Sequence, residues 1–432
     1  MSDGPRRFGF ETRQIHAGAR PEPITGARQT PIYQNTSYVF EDADHAAALF
    51  NLQTYGFIYS RLTNPTVAVL EERLASLEGG RGATCCASGH AAQVLALFPF
   101  MEPGAEVVAS TRLYGGSITQ FGKTFRKFGW QARFVDTDDL AAVRAALTPA
   151  TRALFVESLA NPGGVVSDLA ALADLAHGAG ALLIVDNTLA TPVLCRPFDW
   201  GADLVVHSLT KFLSGSGATM GGVVIDSGRV DWRQNEKFKG LADPDPAYHG
   251  ISFAETFGDL AYTTHAHAVG LRDLGAALAP MNAFLTLLGL ETLSLRMARH
   301  CENAERVAAF LADHPAVAWV SYAGLPGSPY RALAAKYLAG KAGAVLTFGL
   351  KGGYDAGRRL VEAVNLFSHL ANIGDTRSLI LHPASTTHRQ LTDDQRAAAG
   401  AGPDVVRLSV GLETIDDLLA DLDQALKAVR AP

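Results

Sequence analysis

Six short apolar runs constrain this chain more than any other feature. They are EVVAS (106–110), ARFVDT (132–137), ALFVES (153–158), ALLIVDN (181–187), DLVVHS (203–208) and GGVVID (221–226). Apart from ARFVDT, which Arg133 interrupts, each has a continuous apolar stretch rather than apolar residues at every second position. A strand with one wet face alternates, so an unbroken one is buried on both faces. Between several of them lie Ala/Leu-rich stretches of helix length that open on Asp, such as DLAAVRAALTPA and DLAALADLAHGAG. The alternation predicts an α/β fold with a mostly parallel sheet under helices.

The flanks read differently. Residues 1–66 are turn-rich and polar-aromatic, an arm with weak apolar periodicity and no core of its own. Residues 67–265 form the expected large domain, opened by the amphipathic helix VAVLEERLASLEG and its closing glycines. Within it, about 227–265 read as an irregular surface insert. Residues 266–432 begin with a long helical stretch and continue as a smaller C-terminal α/β domain, with VAWVSY, AVLTFGL and VVRLSVG as its strands.

Charge and cysteine usage exclude several classes. The net charge is −6 without a Lys/Arg run, so neither nucleic acid nor an anionic membrane is expected as a partner. No apolar stretch approaches the ~18–20 residues of a spanning helix, and the opening residues hold no apolar signal core. The four cysteines make no C-x-x-C pair, which suggests a reduced, cytoplasmic protein. Three motifs nearly match and fail. GSGATMGG (215–222) has Met220 where a dinucleotide fingerprint needs glycine, and it leads into a strand. FGKT (121–124) lacks the first glycine of a P-loop, since position 117 is Ser117. Ser208–Lys211 fits S-x-x-K, but neither S-D-N nor K-T-G occurs. His265 and His267 have no ligand-spaced Cys or carboxylate, so no metal is expected.

What remains gathers at strand ends. Asn161 follows one run, Asp186 ends the next, and Ser208, Thr210 and Lys211 follow a third. Ligands of parallel sheets sit beyond these carboxyl ends. An ion pair between Asp186 and Lys211 is the ordinary reading of such residues. ASGHAA (87–92) adds a third element, because Ser88 and Gly89 start a helix whose free N–H groups suit a phosphate. A phosphate cradle, an acid and an amine at one edge match pyridoxal 5'-phosphate, which has a phosphate, a pyridine nitrogen and an aldehyde that forms an imine with lysine.

These segments resemble the Cys/Met-metabolism family of pyridoxal-phosphate enzymes. The resemblance runs from Tyr33 to Glu413 and rests on YSRLTNPT (59–66), SGHAA (88–92), LYGGS (113–117), ANPGG (160–164), VDNT (185–188), HSLTKFLSG (207–215), HPASTTH (382–388) and VVRLSVGLE (405–413). It implies the aspartate-aminotransferase-like fold, fold type I. It also implies that Lys211 holds the cofactor and shuttles protons, and that Asp186 pairs with the ring nitrogen. By the same resemblance Asn161 bonds the phenolic oxygen, and Tyr114 stacks on the ring and helps to activate the leaving group. The phosphate falls to Ser88, the backbone of Gly89 and His90, and the hydroxyls of Ser208 and Thr210. Tyr59 and Arg61 are implied to reach the phosphate of a neighbouring subunit, Tyr59 also touching substrate. Arg407 is implied to grip the substrate carboxylate, with Asn372 beside it and Arg377 a weaker candidate. A homodimer is then the active unit, assembled into a tetramer.

Two residues depart from the family pattern near the site: His90, where Met is frequent, and Ser216, where His is frequent. Gly116 stands where γ-lyases of the family typically carry Cys, which counts against that activity. Chain length and the NIGDTRSLILHPASTTHRQLT segment look most like the family's O-acetylhomoserine sulfhydrylases. The expectation is γ-replacement on O-acetylhomoserine by sulfide or methanethiol. An O-succinylhomoserine enzyme or a γ-lyase of the same family is the alternative. A non-catalytic protein retaining a phosphate site is another, and its purified form would be colourless.

Overall fold

The computed structural model describes residues 8–161, 164–387, 389 and 400–430. Pro162 and Gly163 of ANPGG, His388 of HPASTTH and the first seven residues of the arm lie outside them.

The large sheet comprises β1 (Gly82–Cys86), β2 (Glu106–Ser110), β3 (Gln131–Val135), β4 (Thr151–Glu157), β5 (Leu182–Asp186), β6 (Leu204–Ser208) and β7 (Gly222–Asp226). Its order is β1-β7-β6-β5-β4-β2-β3. β7 runs antiparallel to both neighbours and the other pairings are parallel. All six apolar runs are strands. Consecutive residues go to opposite cores: Leu182 and Ile184 join one cluster, Leu183 and Val185 the other. That two-sided burial is the reason five of the runs are continuous; β3, at the sheet's edge, carries Arg133 and is only partly buried.

The smaller sheet holds β8 (Val317–Ser321), β9 (Val345–Leu350), β10 (Ser368–His369), β11 (Leu379–Leu381) and β12 (Val405–Ser409) in the order β10-β11-β12-β9-β8. The expected single long helix between the sheets is two, Pro280–Leu290 and Leu293–Asp313. The helix Pro65–Glu78 starts on an Asn64 cap and ends on Gly79 in the left-handed region, φ 83°.

The segment after β7 corrects the reading of a surface insert. Trp232, Phe238, Leu241, Phe253 and Tyr262 are all buried there. Trp232 stacks between Phe100 and Tyr262, and the Tyr262 hydroxyl donates to the Leu95 carbonyl. Short helical turns carry these anchors at irregular spacing, so no period marks the segment as a core element.

Candidate active site

β4, β5 and β6 end side by side, on Glu157, Asp186 and Ser208. Glu157 pairs with Asp186 in the ladder, so two carboxyls leave adjacent parallel strands at the same level. Burial and the neighbouring Asp186 push the Glu157 carboxyl well above the usual range. Burial also raises Asp186, opposed by donors from Thr188, whose N–H lies 3.0 Å from Oδ1. Such a pair wants a proton or a cation between its charges and the core.

The helix Gly89–Leu97 points its start at this edge. Ser88 caps it, accepting from the Ala91 N–H. The first-turn N–H groups of Gly89 and His90 have no carbonyl of their own helix to bond. Only glycine fits at 89, because a Cβ would meet the Ser208 Cβ at 2.8 Å. The close approach aligns that helix start with the end of β6. Thr210 lies on the following turn, its hydroxyl bonded to the Gly221 N–H at 3.2 Å.

Lys211 follows β6. Its Nζ donates to Asn372 Oδ1 at 2.6 Å, a neutral acceptor. Burial, then the Arg407 charge, lowers its pKa to about 8. Arg407 comes from β12, which lies between β11 and β9 and is no edge strand. Its guanidinium donates to Asn161 Oδ1 at 3.3 Å and to the Asn372 carbonyl at 3.2 Å. Burial brings its pKa down to about 10, which still leaves it charged at neutral pH. Lys211, Asn372, Arg407 and Asn161 therefore form one hydrogen-bonded chain across the two sheets. Tyr114 is half exposed, with its N–H on Glu157 Oε1 at 2.7 Å. The Asn161 N–H takes Glu157 Oε2 at 2.8 Å.

His90 ties the two ends of the edge together. Burial lowers its pKa, while the Asp186 charge raises it and the Lys211 charge lowers it. Acid and amine thus act on one imidazole. Tyr59 and Arg61 are not brought to this edge within the chain. Arg61 donates to the Arg272 carbonyl and lies over the Tyr59 ring. Arg377 is occupied as well, paired with Asp375 at 2.9 Å and bonded to the Ser216 carbonyl at 2.8 Å.

Glu157 went unnoticed in the sequence. It ends an apolar run just as Asp186 does, and that shared signature was the available signal. Asn187 behind the site was missed too. Its amide bonds Glu78 Oε1, which also takes His207 Nε2 at 2.6 Å in a fully buried pair.

These residues fit pyridoxal phosphate: unfilled helix-start donors above a glycine that admits no side chain, a buried carboxyl pair, and an amine of lowered basicity. Among the described residues no group of three or more His, Cys, Asp or Glu could hold a metal ion, and no helix is long and apolar enough to cross a membrane.

Fold and site together define a pyridoxal-phosphate-dependent α/β enzyme. The chain belongs to the Cys/Met metabolism PLP-dependent enzyme family, whose model matches residues 11–427. It is 52% identical over 419 residues to O-acetyl-L-homoserine sulfhydrylase 1 of Thermus thermophilus, covering 96% of this chain and 99% of that one. It is 48% identical over 420 residues to homocysteine synthase of Schizosaccharomyces pombe, covering 97% and 98%. A crystal structure from Campylobacter jejuni, designated an O-acetylhomoserine (thiol)-lyase, superposes with a TM-score of 0.94 at 42% identity. That match spans 97% of this chain and 100% of the other, which carries N'-pyridoxyl-lysine-5'-monophosphate at one position.

Proposed function

We propose that this chain replaces the γ-acetoxy group of O-acetyl-L-homoserine with sulfide or methanethiol, giving homocysteine or methionine plus acetate. The observation that carries the reading is the chain of contacts from Lys211 through Asn372 to Arg407 and Asn161. It sets a proton-transferring amine beside a carboxylate-binding fork, as an α-amino acid substrate requires.

When bound, the cofactor supplies an aldehyde for imine linkage to an amine and a ring that accepts electrons from the substrate Cα. The protein's residues do the rest. Arg407 binds the substrate carboxylate bidentately, its planar fork matching the two oxygens, and the Asn372 carbonyl fixes the orientation of that fork. Lys211 Nζ takes the Cα proton and returns it to the substrate; a pKa of about 8 leaves enough neutral amine near neutral pH. Asp186 would hold a proton at the ring nitrogen, while burial and the Asp186 charge keep the neighbouring Glu157 carboxyl toward its neutral form. Asn161, whose Oδ1 accepts from Arg407, would bond the cofactor's phenolic oxygen. The hydroxyls of Ser88, Ser208 and Thr210, with the N–H groups of Gly89 and His90, would hold the phosphate. Tyr114 would stack on the ring and help to activate the leaving acetate.

Tyr59 and Arg61 serve the site of a second copy. The arm that bears them exposes Ile24, Val39 and Tyr55, which a neighbouring subunit would cover. A homodimer is accordingly the catalytic unit and a pair of dimers the assembly, working in the cytoplasm.

The test is a comparison of substrates at equal concentration. O-Acetylhomoserine with sulfide should be turned over at least about tenfold faster than O-succinylhomoserine with sulfide or cystathionine alone, a difference of ~1.4 kcal/mol in the barrier. Preferential cleavage of cystathionine, or equal use of the succinyl ester, would contradict the assignment.

A further inference from the structure

The proposed reaction engages His90 through its backbone N–H and gives its side chain no role. Its ring lies against that of Tyr114, with centroids 5.9 Å apart and planes inclined at 31°. Its Nε2 is buried without a hydrogen-bond partner, and burial holds the ring toward the neutral form. A neutral, unbonded imidazole on an aromatic face is a packing surface.

Gly116 explains why the two rings can meet. A Cβ built at 116 would stand closer than 3.0 Å to both Tyr114 Cε1 and His90 Cε1. Real Cβ atoms do not come so near, so any side chain there would push one ring or both away. The backbone of Tyr114 has no such freedom. Its N–H is held by Glu157, and its carbonyl accepts from the Ser117 and Ile118 N–H groups. Ser117 is anchored in turn by Gln93 at 2.9 Å. With the main chain pinned on both sides, the tilt of the phenol ring is the variable left, and the ring contacts decide it.

We propose that His90 is a positioning residue for Tyr114: its imidazole, admitted by the missing side chain at Gly116, sets the angle of the phenol over the Lys211–Asp186 edge. This deepens the reading of Tyr114 as the cover of the cofactor ring and rests on it. His90 is also the second residue of the helix whose first N–H groups would hold the phosphate, so one residue would bear on both the phosphate and the ring that covers the cofactor.

The test is a cycle of four proteins: wild type, His90→Ala, Gly116→Ala and the double variant. Each is measured for visible circular dichroism of the bound cofactor, for kcat and KM, and for melting midpoint. Gly116→Ala should lower kcat about tenfold, with a smaller change in KM, and should alter the dichroism, since small misplacements near reacting atoms are costly. In the double variant the displaced phenol gains the room His90 vacated, so kcat should recover at least about threefold over Gly116→Ala. His90→Ala alone, which only removes atoms, should change the dichroism of the cofactor. Additive effects in the cycle, or unchanged dichroism in both single variants, overturn the proposal. A colourless wild-type protein would sink the cofactor reading instead, and the melting midpoints of the four proteins would still show the coupling or its absence.

Discussion

Lys211 sits where a cation is poorly supported, since its partner is the side-chain amide oxygen of Asn372 and its charged neighbour is Arg407. Burial and that guanidinium both favour the neutral amine, so reactivity toward an aldehyde should follow deprotonation. Cofactor-free protein should therefore take up pyridoxal phosphate faster as pH rises, through a midpoint of about 8, and level off above it. Stopped-flow absorbance checks this, and a midpoint near that of free lysine would contradict the environment described for Nζ. Glu157 has a different task. It binds the N–H groups of Tyr114 and Asn161 at once. Glu157→Ala leaves two buried donors unpaired, at about 1–3 kcal/mol each. Weaker cofactor binding and a lower melting temperature should appear together. At Arg407, replacement by lysine keeps the charge but loses the fork. The expected outcome is a KM for O-acetylhomoserine raised about tenfold or more while the cofactor absorbance persists. A KM unchanged in Arg407→Lys would remove the residue from carboxylate binding.

At the scale of elements, the helix Pro65–Glu78 is locked to β6 by one buried contact. Glu78 Oε1 accepts from His207 Nε2 and from Asn187, whose neighbour in sequence is Asp186. Glu78→Ala removes the acceptor from both. Two buried groups left unpaired cost about 1–3 kcal/mol each, which urea unfolding should register; a loss under about 1 kcal/mol would mean the contact is dispensable. How far these elements were legible follows from their burial. β2 and β4–β7 are covered on both faces and announce themselves as unbroken apolar runs. β1, GATCC, is equally buried but built of small residues, and it escaped notice. The segment with Trp232 and Tyr262 was misjudged because its anchors follow no period. At the site, Lys211 and Asp186 stood out as polar ends of buried strands. Glu157 had the same signature and was overlooked because its partners are backbone N–H groups, which leave no trace in sequence. Arg407 and Asn372 were placed by resemblance alone, since nothing local says that β12 is an interior strand facing the other sheet.

At the scale of the whole molecule, the proposed site draws amine, acids and phosphate donors from the large sheet and the substrate fork from the small one, and the arm exposes Ile24, Val39 and Tyr55. The proposed dimer makes a sharp prediction. Lys211→Ala and Arg61→Ala proteins should each be inactive. Mixed after reversible dissociation, they should regain about a quarter of the wild-type activity, because half the dimers are hybrids with one intact site of two. No recovery on mixing would mean that Arg61 acts within its own chain or not at all. The central claim is that Lys211 carries the cofactor above the Asp186–Glu157 pair. Borohydride reduction of the purified protein, followed by mass mapping of the pyridoxyl adduct, tests it most directly. The account predicts a single adduct on Lys211 and none in the Lys211→Ala variant; an adduct on another lysine, or no adduct on the wild-type chain, would contradict it.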